Sequence, residues 1–292
     1  MNQTRKAVVL LLPFGALMAL LVVGCAQVMI QSFGWVPAFS LRQWTLDYYQ
    51  TVLQDESFVA SFWLSFRIAA LSSLGSMLVG TVLCAALTKA GGMEQAVTYL
   101  VRLPILVPHA VVALFVIQLL SQTGLVARVG YAFGFLEDSS QFPQFLYTGE
   151  GNGVVLAYLW KEIPFVAYFT LALMGSIRQG LGQAAENLGA SPLKSFWFVT
   201  LPLSLPAILR SGLILFLFAF GGYELPMLLG ATLPKALPVQ AYLEYLSPEL
   251  RDRPYAMAMY GVILVLSLVL AGGYALLMQK TLKRLGGDAD GQ

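Results

Sequence analysis

The sequence predicts an all-α membrane protein with six transmembrane helices, and three observations carry that expectation. Hydrophobic residues make up 58% of the 292 and charged residues only 11%, where a soluble domain carries about a quarter charged residues. The mean hydropathy is +0.74. The apolar residues gather into long runs, and a bilayer needs roughly 20 of them for each crossing helix. The chain furnishes six such runs, read as a single transmembrane domain over residues 1–292. A net charge of +2 lacks the clustered basic face that a nucleic-acid partner requires. One histidine, His109, and two cysteines, Cys25 and Cys84, lie in different runs. They cannot assemble a His/Cys metal cluster, and no catalytic or cofactor-binding set emerges. No Gly-Lys dipeptide occurs, so the phosphate-cradling loop of nucleotide hydrolases is missing. Any ATP used is bound and hydrolysed by another subunit.

Span one, 7–30, follows Arg5 and Lys6 and holds no charge. Val22-Val23-Gly24-Cys25 also resembles the end of a lipoprotein signal, but the run is long enough to span and more runs follow, which suits a retained helix. Span two, 65–87, has Arg67 near its outer end, where a long side chain can snorkel, and Lys89 after it. Its Ser72, Ser76, Gly80 and Cys84 recur every four positions, a face on which another helix can approach closely. Span three, 102–120, carries Pro104 and Pro108, each of which removes a backbone donor and kinks the helix. His109 beside Pro108 reads as a histidine bonded to a kink carbonyl rather than as a base.

Span four, 154–177, contains Lys161 and Glu162; as neighbours on a helix they point in different directions and do not pair with each other. Span five, 206–229, contains Glu224 and Pro226, and span six, 256–278, ends before Lys280, Lys283 and Arg284. Six spans put both termini on one side. Placing them inside leaves ten of the seventeen Lys and Arg on the inner face, the bias expected of cytoplasmic loops. In the first outer loop, Leu41, Trp44, Tyr48 and Val52 follow the spacing of a helix lying at the membrane interface. The glycine-rich stretch 121–153 is too interrupted for one helix; together with 234–255 it offers an outer docking surface.

Between spans four and five the chain changes character. Gln183-Ala184-Ala185-Glu186-Asn187-Leu188 favours one short helix, Gly189 can take the left-handed conformation that ends it, and Ser191-Pro192 starts another. Pro202 and Pro206 are expected to bend the path back into the membrane. These residues resemble the cytoplasmic signature of the permease subunits of binding-protein-dependent ABC importers: Glu-Ala-Ala, three residues, Gly, nine residues, Ile, one residue, Leu-Pro. Ala184-Ala185, Gly189, Val199 in the isoleucine place and Leu201-Pro202 keep the spacing, and Gln183 replaces the glutamate.

The likeness extends to Trp44-Thr45-Leu46-Asp47-Tyr48-Tyr49, Ser65-Phe66-Arg67-Ile68-Ala69, Pro104 to Pro108 and Tyr223 to Gly230, where it is most similar to the spermidine/putrescine-type branch. Permeases for iron, thiamine, sulfate and phosphonate share much of the pattern. The resemblance implies a type I importer permease fold in a bacterial inner membrane. It implies a second permease beside this one, two ATPase subunits below and an extracytoplasmic binding protein. It also implies a coupling segment, 183–200, with Gln183, Ala184, Ala185, Glu186, Gly189, Ala190, Phe196, Leu201 and Pro202 as the residues that couple to the ATPase.

Charged residues inside spans are costly and are functional candidates, so Tyr223, Glu224, Lys161 and Glu162 are the candidate pathway residues. Glu224 beside Tyr223 can attract an organic cation; it can equally cap a kink at Pro226 or pair with an arginine.

Overall fold

A computed structural model describes residues 3–88 and 94–287; Lys89 lies outside the described residues. Among these, six helices are long and apolar enough to cross a membrane: Leu10–Ser32, Glu56–Leu87, His109–Ala132, Asn152–Asn187, Pro192–Phe220 and Leu250–Leu277. The chain gathers into two compact units, residues 1–59 with 237–268 and residues 60–236 with 269–292.

The first unit opens with helix α1, Gln3–Ser32. Gly34 turns the chain at φ +85 into a two-residue hairpin, β1 Trp35–Val36 against β2 Leu41–Arg42, antiparallel with Trp35 opposite Arg42. Helix α2 follows at Asp47–Gln54, so the continuous interfacial helix expected from Leu41 to Val52 is shortened. Ser40 takes a positive φ of 61 and Thr45 donates its N–H to Phe33 O, which spends residues 40–46 on a turn. The aromatic side of the loop is real: Trp35 stacks on Trp44 with centroids 5.6 Å apart, and Tyr48 meets Tyr255 edge-on at 4.9 Å. Tyr49 Oη donates to Ser32 Oγ at 2.8 Å. Helix α12, Leu237–Tyr245, belongs to this unit.

In the second unit α3, Glu56–Leu87, continues from the first. It is followed by α4 Glu94–Leu106, α5 His109–Leu120, α6 Leu125–Ala132 and α7 Asn152–Ile177. The small-residue stripe of α3 faces α7. A Cβ on Gly80 would lie 2.7 Å from Val166 Cβ, and Cys84 packs with Ala167, Met174 and Ile208. In lipid such contacts are van der Waals packing, so small side chains that let backbones approach replace the hydrophobic effect as the source of stability.

Helix boundaries depart from the apolar runs. Span three is broken, because Pro108 has no N–H and its ψ of 147 leaves the helical region, ending α4 and beginning α5. Span four does not stop at 177; α7 passes through a π-helical turn, Arg178–Gly182, into α8, Gln183–Asn187. Span five runs lower than 206–229: α9 Pro192–Ser195, a π-helical turn Phe196–Thr200 and α10 Leu201–Phe220 form one stretch. Pro202 and Pro206 do not end the helical path: Pro202 is the second residue of α10, directly after the π-helical turn, and Pro206 lies within α10. Helix α10 ends at Gly221, and Glu224 begins a separate short helix, α11 Glu224–Leu229, so it is not inside span five. Helix α13, Arg253–Gly287, starts in the first unit and ends in the second.

Candidate functional site: an elbow and a polar cavity joined by one helix

The elbow is built from backbone chemistry. Helix α8 ends on Gly189 at φ +94, with Ala190 N–H on Ala185 O and Gly189 N–H on Glu186 O, both 3.0 Å. Those nested bonds satisfy carbonyls that a helix end leaves free, and glycine takes the left-handed step without a Cβ clash. Ser191 then caps α9, its Oγ accepting from Lys194 N, with Pro192 in the first turn. The two arms are tied by Ser195 Oγ donating to Gly182 O at 3.0 Å in a buried setting, and the Arg178 guanidinium donates to the Thr88 carbonyl.

The elbow's outer surface is exposed and mixes apolar with polar side chains, Asn187 and Lys194 among them. Leu188 is 90% exposed, and Gln183, Ala184, Gly189, Leu193 and Pro202 are exposed beside the half-buried Ala185, Glu186 and Ala190. Phe196 and Leu201 face the other way, packed on the Cys84–Ala167–Met174–Ile208 cluster. Of the nine expected coupling residues, these two pack the elbow against the helices.

The polar cavity lies where two helix breaks converge. His109 is the first residue of α5 and Glu224 the first of α11, and His109 Nδ1 is 3.2 Å from Glu224 Oε2. The histidine therefore does not bond the kink carbonyl. That carbonyl, Val107 O, accepts from Lys161 Nζ, because Val111 and Val112 both donate to Pro108 O instead.

Glu162, the next residue on α7, has a different polar partner from Lys161. It is 3% exposed, with Ser76 Oγ donating to its Oε2 at 3.4 Å. A cavity of about 430 Å³ is lined by His109, Tyr158, Phe218, Gly222, Tyr223 and Glu224. A second, of about 200 Å³, shares His109, Tyr158 and Phe218 and adds Lys161 and Glu162. All four candidate pathway residues thus line one of two adjoining cavities.

Sequence reasoning missed Tyr158 and Gly222. A Cβ on Gly222 would collide with Tyr158 Oη, so this glycine lets the end of α10 approach the phenol. The available signal was Tyr158 standing four residues before Glu162, on the same helical face.

Residues 77–283 match the family described as binding-protein-dependent transport system inner membrane component. The chain is 23% identical over 175 residues to the putrescine transport system permease protein PotI of Escherichia coli (strain K12), covering 59% of this chain and 57% of that protein. It is 32% identical over 160 residues to the sn-glycerol-3-phosphate transport system permease protein UgpA of Yersinia pestis bv. Antiqua (strain Antiqua), covering 53% and 52%. The chain spans about half the length of the curated relatives it matches.

A solved bacterial ABC transporter involved in the import of the acidic polysaccharide alginate contains a chain of like fold, with a TM-score of 0.70 at 21% identity over 94% of this chain and 99% of that one. Since the family match takes in the whole elbow and both cavities, this multi-pass membrane chain belongs to the binding-protein-dependent transport system inner membrane components.

Proposed function

We propose that this chain is a permease subunit of an ATP-driven importer: the elbow docks on a separate ATPase, and the adjoining cavities lie on the path of a small solute. The observation that carries the reading is the unbroken passage of α7 into the elbow. From Glu162 to Glu186 the chain stays helical, about 36 Å at 1.5 Å per residue. Nucleotide can shift a two-state transporter only through unequal affinity for its states. A stiff helix with a docking knob at one end and charged side chains at the other converts ATPase closure into rocking of α7 and α10.

In this reading a second permease, of different sequence, closes the cavities on the side where Glu224 is open. An extracytoplasmic binding protein delivers solute to the stretches at 121–153 and 234–255. The membrane is a bacterial inner membrane, with both termini cytoplasmic. Glu224 beside Tyr223, and the putrescine permease among the relatives, support a polyamine as the solute. The glycerol-phosphate relative supports an anion in its place.

Cross-linking tests the reading. A Leu188→Cys chain in membranes is treated with a short bismaleimide, and a membrane-impermeant maleimide is applied to intact cells. The expected result is an adduct with a nucleotide hydrolase and no labelling from outside. Labelling from outside with no hydrolase adduct would overturn it.

A further inference from the structure

Between Lys194 and Glu224 the chain holds one charged residue, Arg210. It is the tenth of the twenty residues of α10. On the crossing helix Pro192–Phe220 it stands about 15 Å from the Phe220 end and about 27 Å from the other at 1.5 Å per residue. A hydrocarbon core of about 30 Å measured from the Phe220 end therefore puts Arg210 near mid-depth. The side chain is exposed and has no hydrogen-bond or ion-pair partner among the described residues. Hydrocarbon does not solvate such a charge, and arginines inside spans face a bundle interior or a cavity and pair there.

The direction it faces follows from helical spacing. Leu203, Arg210, Ile214 and Phe218 fall on one stripe of α10 and all four are exposed, whereas Ser204, Ile208, Ser211 and Leu215 on the neighbouring face are buried. Ile214 and Phe218 line the smaller cavity, so the stripe carries that cavity's wall on toward the elbow. The chain's own span carboxyls are engaged elsewhere, Glu162 accepting from Ser76 and Glu224 facing His109. We infer that the second permease packs on this stripe and sets a carboxylate, from an Asp or Glu of its own span, against the Arg210 guanidinium. The inference rests on the permease reading and adds to it the chemistry of the subunit contact. A planar fork of donors matches a carboxylate at two points, and Leu203 and Ile214 on either side keep water from the pair, which strengthens it. A second copy of this chain does not supply the acid: on an isologous contact it brings the same guanidinium and the same two engaged carboxyls.

The test uses the full complex in membranes and the variant Arg210→Lys, whose amine a carbodiimide joins to a carboxyl as an amide; the wild-type guanidinium does not react. Dicyclohexylcarbodiimide, which partitions into the bilayer, is applied, and the digest is mapped by mass spectrometry. The expected result is a link from position 210 to an Asp or Glu in a span of the second permease, absent from the wild type. Arg210→Gln is expected to weaken retention of the second permease on the tagged chain about 10- to 100-fold, the range for a charged hydrogen bond. Arg210→Glu should weaken it further, and changing the linked acid of the second permease to arginine should then restore it.

A link to Glu162 or Glu224 of the same chain would overturn the inference. So would an assembled Arg210→Lys complex that gives no link, the outcome for a guanidinium that meets only water, lipid or solute. Should Arg210→Lys fail to assemble, Arg210→Gln decides the matter, and unchanged retention overturns the inference. A wild-type chain that retains no second permease counts against the permease reading. A second permease that no change at Arg210 loosens counts against this contact alone.

Discussion

Replacing Gly189 by alanine isolates one physical quantity. An added Cβ there meets nothing within 4 Å, so the change makes no clash and loses no packing. What it costs is conformational, because a residue with a Cβ at φ +94 stands in left-handed backbone at a penalty of roughly 1–2 kcal/mol. If the elbow docks in the observed conformation, that penalty is taken from docking. At 1.4 kcal/mol per tenfold, ATPase affinity should fall about 5- to 30-fold. Gly180 supplies the control. It lies in the neighbouring π-helical turn, its Cβ would also meet nothing within 4 Å, and its φ is ordinary. Gly180→Ala should leave affinity unchanged or raise it, since alanine favours helical backbone over glycine. Both variants are measured by biolayer interferometry of purified ATPase on nanodisc-embedded permease. Equal affinities for the two would refute the claim that the left-handed step shapes the docking surface.

Two further outcomes follow from other parts of the chain. Gly80→Val drives a side chain into Val166 Cβ at 2.7 Å and Ile163 O at 2.8 Å, so it should lower stability by about 1–3 kcal/mol, read as a fall in Tm of the detergent-solubilised protein. Glu244, outside the spans, has its carboxyl pushed up by burial and then by Asp252 and Asp55. A raised carboxyl binds its proton more tightly folded than unfolded, so its contribution is present below the unfolded pKa and is lost as pH rises through the folded one. Glu244→Gln should therefore raise Tm at neutral pH, with the difference closing on acidification. A constant difference across pH would count against this.

The number of spans and the elbow were legible because their signals are local. A run of apolar residues announces a crossing helix, and Gly189 followed by Ser191-Pro192 carries a stop and a start within four positions. Helix ends were less legible, because hydropathy continues where the backbone breaks. The run containing Pro226 stays apolar on either side of Glu224, yet α10 stops at Gly221. The facing of an apolar side chain is also hidden. Phe196 and Leu188 are both apolar, and only packing distinguishes the anchored one from the bare one. The His109–Glu224 contact joins residues more than a hundred positions apart through two helix starts, a pairing that no spacing in the chain records. The Lys161–Val107 bond depends on which carbonyl Pro108 leaves free, a detail of backbone geometry.

Helix α1 has a further consequence. In its crossing stretch, Leu10–Ser32, none of the most apolar window is buried within the protein. Such a segment obtains its place from partition into hydrocarbon and not from shape complementarity with its own chain. Its side chains can drift among leucine, valine, isoleucine and phenylalanine at little cost, so this stretch should diverge faster between orthologues than α3 or α7, whose glycines and serines are fixed by neighbours. During synthesis it can leave the translocon and settle into lipid before any of the later helices exist to receive it.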